Sequence, residues 1–150
     1  MIENSGASWK SLLFVALQFI ALGYIGLTGL VLPGSSILLL IELIGMGLGA
    51  WAVLVMGIGN FNIIPDPSQW TKLVRVGPYQ LIRHPMYLAL LLTTLPMVIN
   101  YFTVFRFLVW ITLLVTLLLK LNNEEGLLSE KLNGYLQYVG ESYKIIPFLY

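Results

Sequence analysis

Two short stretches of this chain hold nearly all of its candidate chemistry. The first reads Gly77-Pro78-Tyr79-Gln80-Leu81-Ile82-Arg83-His84-Pro85-Met86-Tyr87 and contains the only histidine. The second is Glu124-Glu125, with Lys120 four residues before it. Proline is well tolerated at the first position of a helix, where its missing N–H costs nothing. His84 is therefore expected at or near a helix N-cap, with Arg83 just outside. A helix N-terminus offers unpaired N–H groups and about half a positive charge. Adding a guanidinium and an imidazole makes a corner suited to an anion. The plainer reading is that Arg83 and His84 are interfacial anchors, since basic residues flank membrane helices routinely. Glu124 and Glu125 also read two ways. They could complement the dipole in a first helical turn capped by Asn122 or Asn123. Alternatively, one of them pairs with Arg83, Lys120 or a cationic ligand. Lys120 and Glu124 share a face if the helix runs through both. A mixed-charge pocket of this kind suits a zwitterionic ligand.

Other chemistries find little support. The chain has no cysteine, which removes disulfides, thiolate metal sites and cysteine nucleophiles. With one histidine as well, a protein-borne metal site is not expected. No serine sits in a nucleophile elbow. A net charge of +1 with no dense basic patch points away from nucleic acid. Glu42 lies inside an apolar run, where a carboxylate costs a few kcal/mol (~3) unless paired or protonated. Gln18, Arg106 or a backbone group is its expected partner. Gly45, Gly47 and Gly49 are not a dinucleotide fingerprint, because no strand precedes them. Gly45 and Gly49 instead have the small-xxx-small spacing that lets helices approach.

The elements that must position these residues are apolar. The chain is 58% hydrophobic and 10% charged, against about 25% charged in soluble domains. Its mean hydropathy is +0.86. Its 150 residues suffice for one domain. The expectation is an all-α, single-domain integral membrane bundle of about four transmembrane helices, at 11–32, 37–59, 85–100 and 102–121. The first run would be ~33 Å long as a helix, enough for a hydrocarbon layer of ~30 Å. A polar lead precedes it and does not resemble a cleavable signal. A turn at 33–36 makes the first two spans a hairpin. Residues 60–84 form a cytoplasmic loop, kept irregular by closely spaced X-Pro pairs, with Trp70 and Tyr79 suited to the interfacial belt. The third span is short, ~24 Å. Its helix either begins before Pro85, near Leu81, or stops below the far surface, and Pro96 would kink it. Residues 122–139 read as a C-terminal cytoplasmic amphipathic helix with Leu128, Leu132, Tyr135 and Val139 on one face. Gly140 ends it, and the tail from Tyr143 docks back on protein or lipid. Lys10, Lys72, Arg75, Arg83, Lys120, Lys131 and Lys144 fall on one side of this bundle and Arg106 on the other, so the first side, with both termini, is cytoplasmic.

The pattern Thr71-Lys72-Leu73-Val74-x-x-Gly77-Pro78-Tyr79-x-x-x-Arg83-His84-Pro85-Met86-Tyr87, followed after one hairpin by Glu124-Glu125-x-x-Leu128, resembles the isoprenylcysteine carboxyl methyltransferase family and its relatives, the phospholipid N-methyltransferases. The resemblance covers about the C-terminal 90 residues. It implies a helical membrane enzyme that uses S-adenosylmethionine and a lipophilic acceptor, either an isoprenylcysteine-type carboxylate or a lipid amine. By position it assigns cofactor contacts to Thr71, Lys72, Leu73, Val74, Tyr79 and the run Arg83, His84, Pro85, Met86 and Tyr87. Glu124 and Glu125 would close that site. Glu124 and Lys120 become the catalytic candidates, Lys120 standing where the family often has a substrate-facing arginine. Ala89 stands where the family usually has glycine. Two other readings stay open at this stage: an NADPH-dependent lipid or sterol reductase, and a membrane scaffold without catalysis.

Overall fold

The structure is a computed structural model that describes residues 9–29, 33–57 and 73–147. Four long helices and one short one account for most of these: α1 (Trp9–Leu27), α2 (Ser36–Met56), α3 (Pro85–Asn100), α4 (Val104–Lys131) and α5 (Tyr135–Glu141). A single 3-10 turn, Gly77–Gln80, precedes α3. Helices α1, α2 and α4 are each long and apolar enough to cross a membrane. The protein is therefore an integral membrane protein. Helix α3 is apolar but has only 16 residues. It begins at Pro85, which rules out a start near Leu81, and it continues unbroken through Pro96.

The packing order differs from the expected hairpin. Helix α2 lies mainly on α3, and α1 lies mainly on α4, while α1 and α2 share at most a marginal contact. The cause is visible on α2. A Cβ on Gly45 would fall 2.7 Å from the Thr93 amide nitrogen and 2.9 Å from Leu92 Cβ, and one on Gly49 would fall 3.3 Å from Ala89 Cβ. The two glycines let the α3 backbone close on α2, as their spacing suggested. Ala89 thus belongs to the α2–α3 seam. Gly45→Val is expected to force this seam apart and cost about 2–3 kcal/mol, the usual range for overpacking. A melting curve in detergent would show it, and an unchanged midpoint would refute the close approach.

The apolar core is formed by α1, α3 and α4 around Ala21, Ile25, Leu91, Val98, Leu113, Leu117 and Leu121. At the end of the bundle remote from His84, Arg106 is 1% exposed. It donates to the carbonyls of Ile25 and Met97 at 3.1 Å each and to the Thr28 hydroxyl. One guanidinium thus serves the C-terminal ends of both α1 and α3, where helix dipoles favour a cation. It also fixes the height of α1 against α4.

Among the described residues, Glu42 is bonded to neither of the two side chains expected of it. It is 2% exposed and its Oε2 has no hydrogen-bond partner. Arg106 is engaged as above, and the Gln18 oxygen is taken by Lys120.

The C-terminal region also departs from expectation. Residues 122–131 are not a separate helix but extend α4. The break comes at Leu132–Gly134, with Gly134 in the left-handed region at φ 82°. Gly140 lies inside α5 and is not its end.

Candidate functional site

At the other end of the bundle, His84 is the N-cap of α3 and Pro85 occupies the first turn, as the sequence dictates. Gly77 holds the approach to this corner. It has φ 61°, and a Cβ there would fall 2.9 Å from a Val55 methyl carbon on α2, so the turn is pressed onto that helix. Arg83 and His84 are each 8% exposed. That is not how interfacial anchors behave, because anchors keep their charged ends in water.

Burial of Arg83 is matched by partners. Its Nε donates to Glu125 Oε1 at 2.6 Å, and one Nη donates to the Val139 carbonyl at 3.1 Å and to the Ser142 carbonyl. The backbone is held as well. The Arg83 amide donates to the Tyr143 carbonyl at 2.8 Å and the His84 amide to the Lys144 carbonyl at 3.1 Å, while Tyr143 returns a bond to the Leu81 carbonyl at 2.9 Å. The tail therefore docks as expected, and it docks as a short parallel bridge on the Arg-His segment.

The two acids lie mid-helix on α4, which removes the reading of Glu124 and Glu125 as first-turn residues capped by Asn122 or Asn123. Tyr87, from the first turn of α3, donates its hydroxyl to Glu124 Oε2 at 2.7 Å. His84 Nδ1 is 3.6 Å from the same oxygen, and its Nε2 is 3.4 Å from Glu125 Oε1 without hydrogen-bond alignment. The His84 and Tyr87 rings stack with centroids 5.4 Å apart. Lys144 Nζ approaches Glu125 Oε2 at 3.5 Å. Lys120 is 3% exposed, donates to Gln18 Oε1 at 3.0 Å, and places its ammonium 5.3 Å from the Tyr87 ring centre.

Three polar atoms around these acids are buried without a hydrogen-bond partner among the described residues: His84 Nε2, the Tyr79 hydroxyl and the Tyr135 hydroxyl. Tyr79 is 4% exposed and so lies inside the protein, not in the interfacial belt. Burial, joined by the charge of Glu124, pushes its hydroxyl above the ordinary tyrosine range. Burial also holds Tyr138 up at about 12, and its hydroxyl donates to the Tyr79 carbonyl. Buried polar atoms without partners are uncommon, and three of them at one end of the bundle set that end apart.

The expected residues thus divide into groups. Tyr79, Arg83, His84, Pro85, Tyr87, Lys120, Glu124 and Glu125 come together at one end of the bundle. Met86 is half-buried beside Pro85. Leu73 and Val74 are half-buried in irregular chain before the 3-10 turn. Thr71, Lys72 and Trp70 lie outside the described residues. Sequence reasoning named Gln18 only as a partner for Glu42 and Tyr135 only as a helix-face residue, and it did not find the pairing of residues 143 and 144 or the contact of Gln18 with Lys120. Only the apolar periodicity around Gln18, which buries it with Ala21 and Ile25, could have marked it.

No curated protein matches the chain. A family model described as the isoprenylcysteine carboxyl methyltransferase family matches residues 37–130. The match includes α2, which the resemblance over the C-terminal 90 residues left largely aside, and it omits α1, α5 and the docked tail. Both motifs lie within the matched residues, and in the structure their side chains touch. The chain belongs to the isoprenylcysteine carboxyl methyltransferase family, a family of membrane methyltransferases.

Proposed function

We propose that this protein uses S-adenosylmethionine to methylate a lipophilic acceptor, at the end of the bundle where Arg83, His84, Tyr87, Glu124 and Glu125 meet. We place that end and both termini on the cytoplasmic side. The observation that supports this best is the contact between the two motifs, Tyr87 to Glu124 at 2.7 Å, ringed by buried polar atoms with no partner. The donor set fits the cofactor. Its carboxylate suits the imidazole Nε2 and the tyrosine hydroxyls, and its amine and ribose hydroxyls suit Glu124.

When bound, S-adenosylmethionine supplies a methyl group on a sulfonium, which departs as a neutral thioether. The protein's residues have to orient the acceptor and exclude water. Arg83 and Glu125 neutralise each other and fix the His84 corner. Tyr87 holds Glu124 Oε2, which directs the other carboxylate oxygen toward the ligand. Thr71, Lys72, Leu73, Val74, Pro85 and Met86 would line the cofactor, as the family pattern implies. Lys120 would face the acceptor. A carboxylate acceptor needs no base. An amine acceptor does, and Glu124 is then better placed than Glu125, whose two oxygens already face Arg83 and Lys144. The acceptor would reach the site from lipid between α3 and α4.

Titration calorimetry of the purified protein with S-adenosylhomocysteine is expected to show one binding site per chain. A flat titration would end this reading.

A further inference from the structure

Helix α1 lies outside the family match, yet its Gln18 side chain reaches Lys120 at the site. We propose that Gln18 is a positioning residue that aims the Lys120 ammonium at the acceptor, so that the acceptor end of the site requires α1. This rests on the reading of Lys120 as the acceptor-facing group.

The geometry carries the argument in three steps. First, the register of α1 is set elsewhere. Arg106 bonds the Ile25 carbonyl at 3.1 Å, and Ile25 and Gln18 are both buried, about two turns apart on one face of the helix. Pinning the far end therefore brings Gln18 opposite Lys120, where Nζ donates to Gln18 Oε1 at 3.0 Å. Second, an ammonium is donor-only, so the amide must present its oxygen to it and turn its NH2 group away. A lysine side chain has many rotamers, and a fixed acceptor on a neighbouring helix narrows their range. Third, the amide is neutral. It adds no negative charge of its own beside the ammonium, which lies 5.3 Å from the ring of Tyr87, whose hydroxyl is bonded to Glu124. An incoming negative group would find the ammonium already directed toward the motif that holds the cofactor. A residue that only satisfied a buried ammonium could equally be a carboxylate, and this difference can be tested.

The experiment uses the full chain in detergent, an N-acylated S-prenylcysteine as acceptor and S-adenosylhomocysteine as cofactor probe. Gln18→Leu and Gln18→Glu are each expected to raise the acceptor KM about tenfold, as loss of one charged contact does. Both should leave kcat and the S-adenosylhomocysteine affinity within about twofold of wild type, since Gln18 has no hydrogen bond to His84, Tyr87 or Glu124. In a Lys120→Met background, Gln18→Leu should add nothing, because the two side chains act as one unit. Gln18→Glu keeps a partner for the ammonium and so guards against loss of folding. A wild-type KM in Gln18→Glu would overturn the inference and leave Gln18 as a plain structural partner. An equal loss of cofactor affinity, or an undiminished effect in the Lys120→Met background, would overturn it too. A wild-type chain that binds S-adenosylhomocysteine but does not turn over the prenylcysteine overturns the inference together with the acceptor role of Lys120. A chain that binds neither overturns the methyltransferase reading itself.

Discussion

Glutamine in place of Glu124 is expected to lower methyl transfer by about a hundredfold or more, the scale on which a positioned acid or base contributes. The fold should survive. Tyr87 donates to Glu124 Oε2 at 2.7 Å, and the amide oxygen of glutamine can accept the same bond. The change in stability should therefore stay within about 1 kcal/mol, the net worth of an ordinary hydrogen bond. What is lost is a negative charge at the only point where a residue of the Arg-His-Pro-Met-Tyr motif hydrogen-bonds Glu124. S-adenosylhomocysteine affinity should fall along with the rate, because the carboxylate is proposed to hold the cofactor's amine or ribose. Full activity in Glu124→Gln would show that the contact between the motifs is architectural. Alanine is the poorer choice, since it leaves the buried Tyr87 hydroxyl without an acceptor and mixes a packing cost of about 1–3 kcal/mol into the result.

The second large effect is expected from Arg83→Ala. The guanidinium joins the α3 corner, the acids of α4 and the tail through Glu125, Val139 and Ser142. Its side chain is 5% exposed and that of Glu125 is 14% exposed. Removing Arg83 takes the closest counter-ion from the buried Glu125 and leaves it the part-exposed Lys144, at a cost of roughly 3 kcal/mol, the lower end for a broken buried pair. The melting temperature in detergent should drop sharply, and amide exchange of His84 and Tyr143 should quicken because the tail bridge loses its anchor. Lys144→Ala is the useful contrast. Its ammonium reaches the same Glu125 but is 27% exposed, so its loss should cost under about 1 kcal/mol. Equal effects from the two substitutions would mean that Arg83 does not organise this end of the molecule. In both experiments the site and the tail are read separately, so failure of one does not conceal the other.

Much of the site was legible in the sequence because its determinants are local. Proline after histidine sets a helix start, and His84 is the N-cap of α3. Two glycines four apart on an apolar helix imply a close neighbour, and α3 is that neighbour. The sparse charges could only collect where the membrane ends, which brought the imidazole and the acids to one end of the bundle. Choice of partner was not legible. Glu124 and Glu125 have the same chemistry, yet one takes the Tyr87 hydroxyl and the other the Arg83 guanidinium. The α4 phase decides this, and that phase depends on the helix continuing to Lys131, where the change from apolar to polar composition suggested a break. A helix does not end because it leaves a hydrophobic medium. It ends where capping or a left-handed residue is available, here at Gly134. Pairing of α1 with α4, and not with its neighbour in sequence, was likewise hidden, because packing follows matched surfaces, and the glycine stripe of α2 had already chosen α3.

The sequence by itself determined the medium, the helical class, the family and the two ends of the chemistry, since each follows from composition or from residues within a few positions of one another. The tertiary structure alone decided which charge meets which, that the tail bridges the Arg-His segment, and that Gln18 stands opposite Lys120. The separations run from 37 residues between Tyr87 and Glu124 to 102 between Gln18 and Lys120, and only the register of packed helices, set by Arg106 at one end and the glycine seam at the other, converts such separations into hydrogen-bond distances.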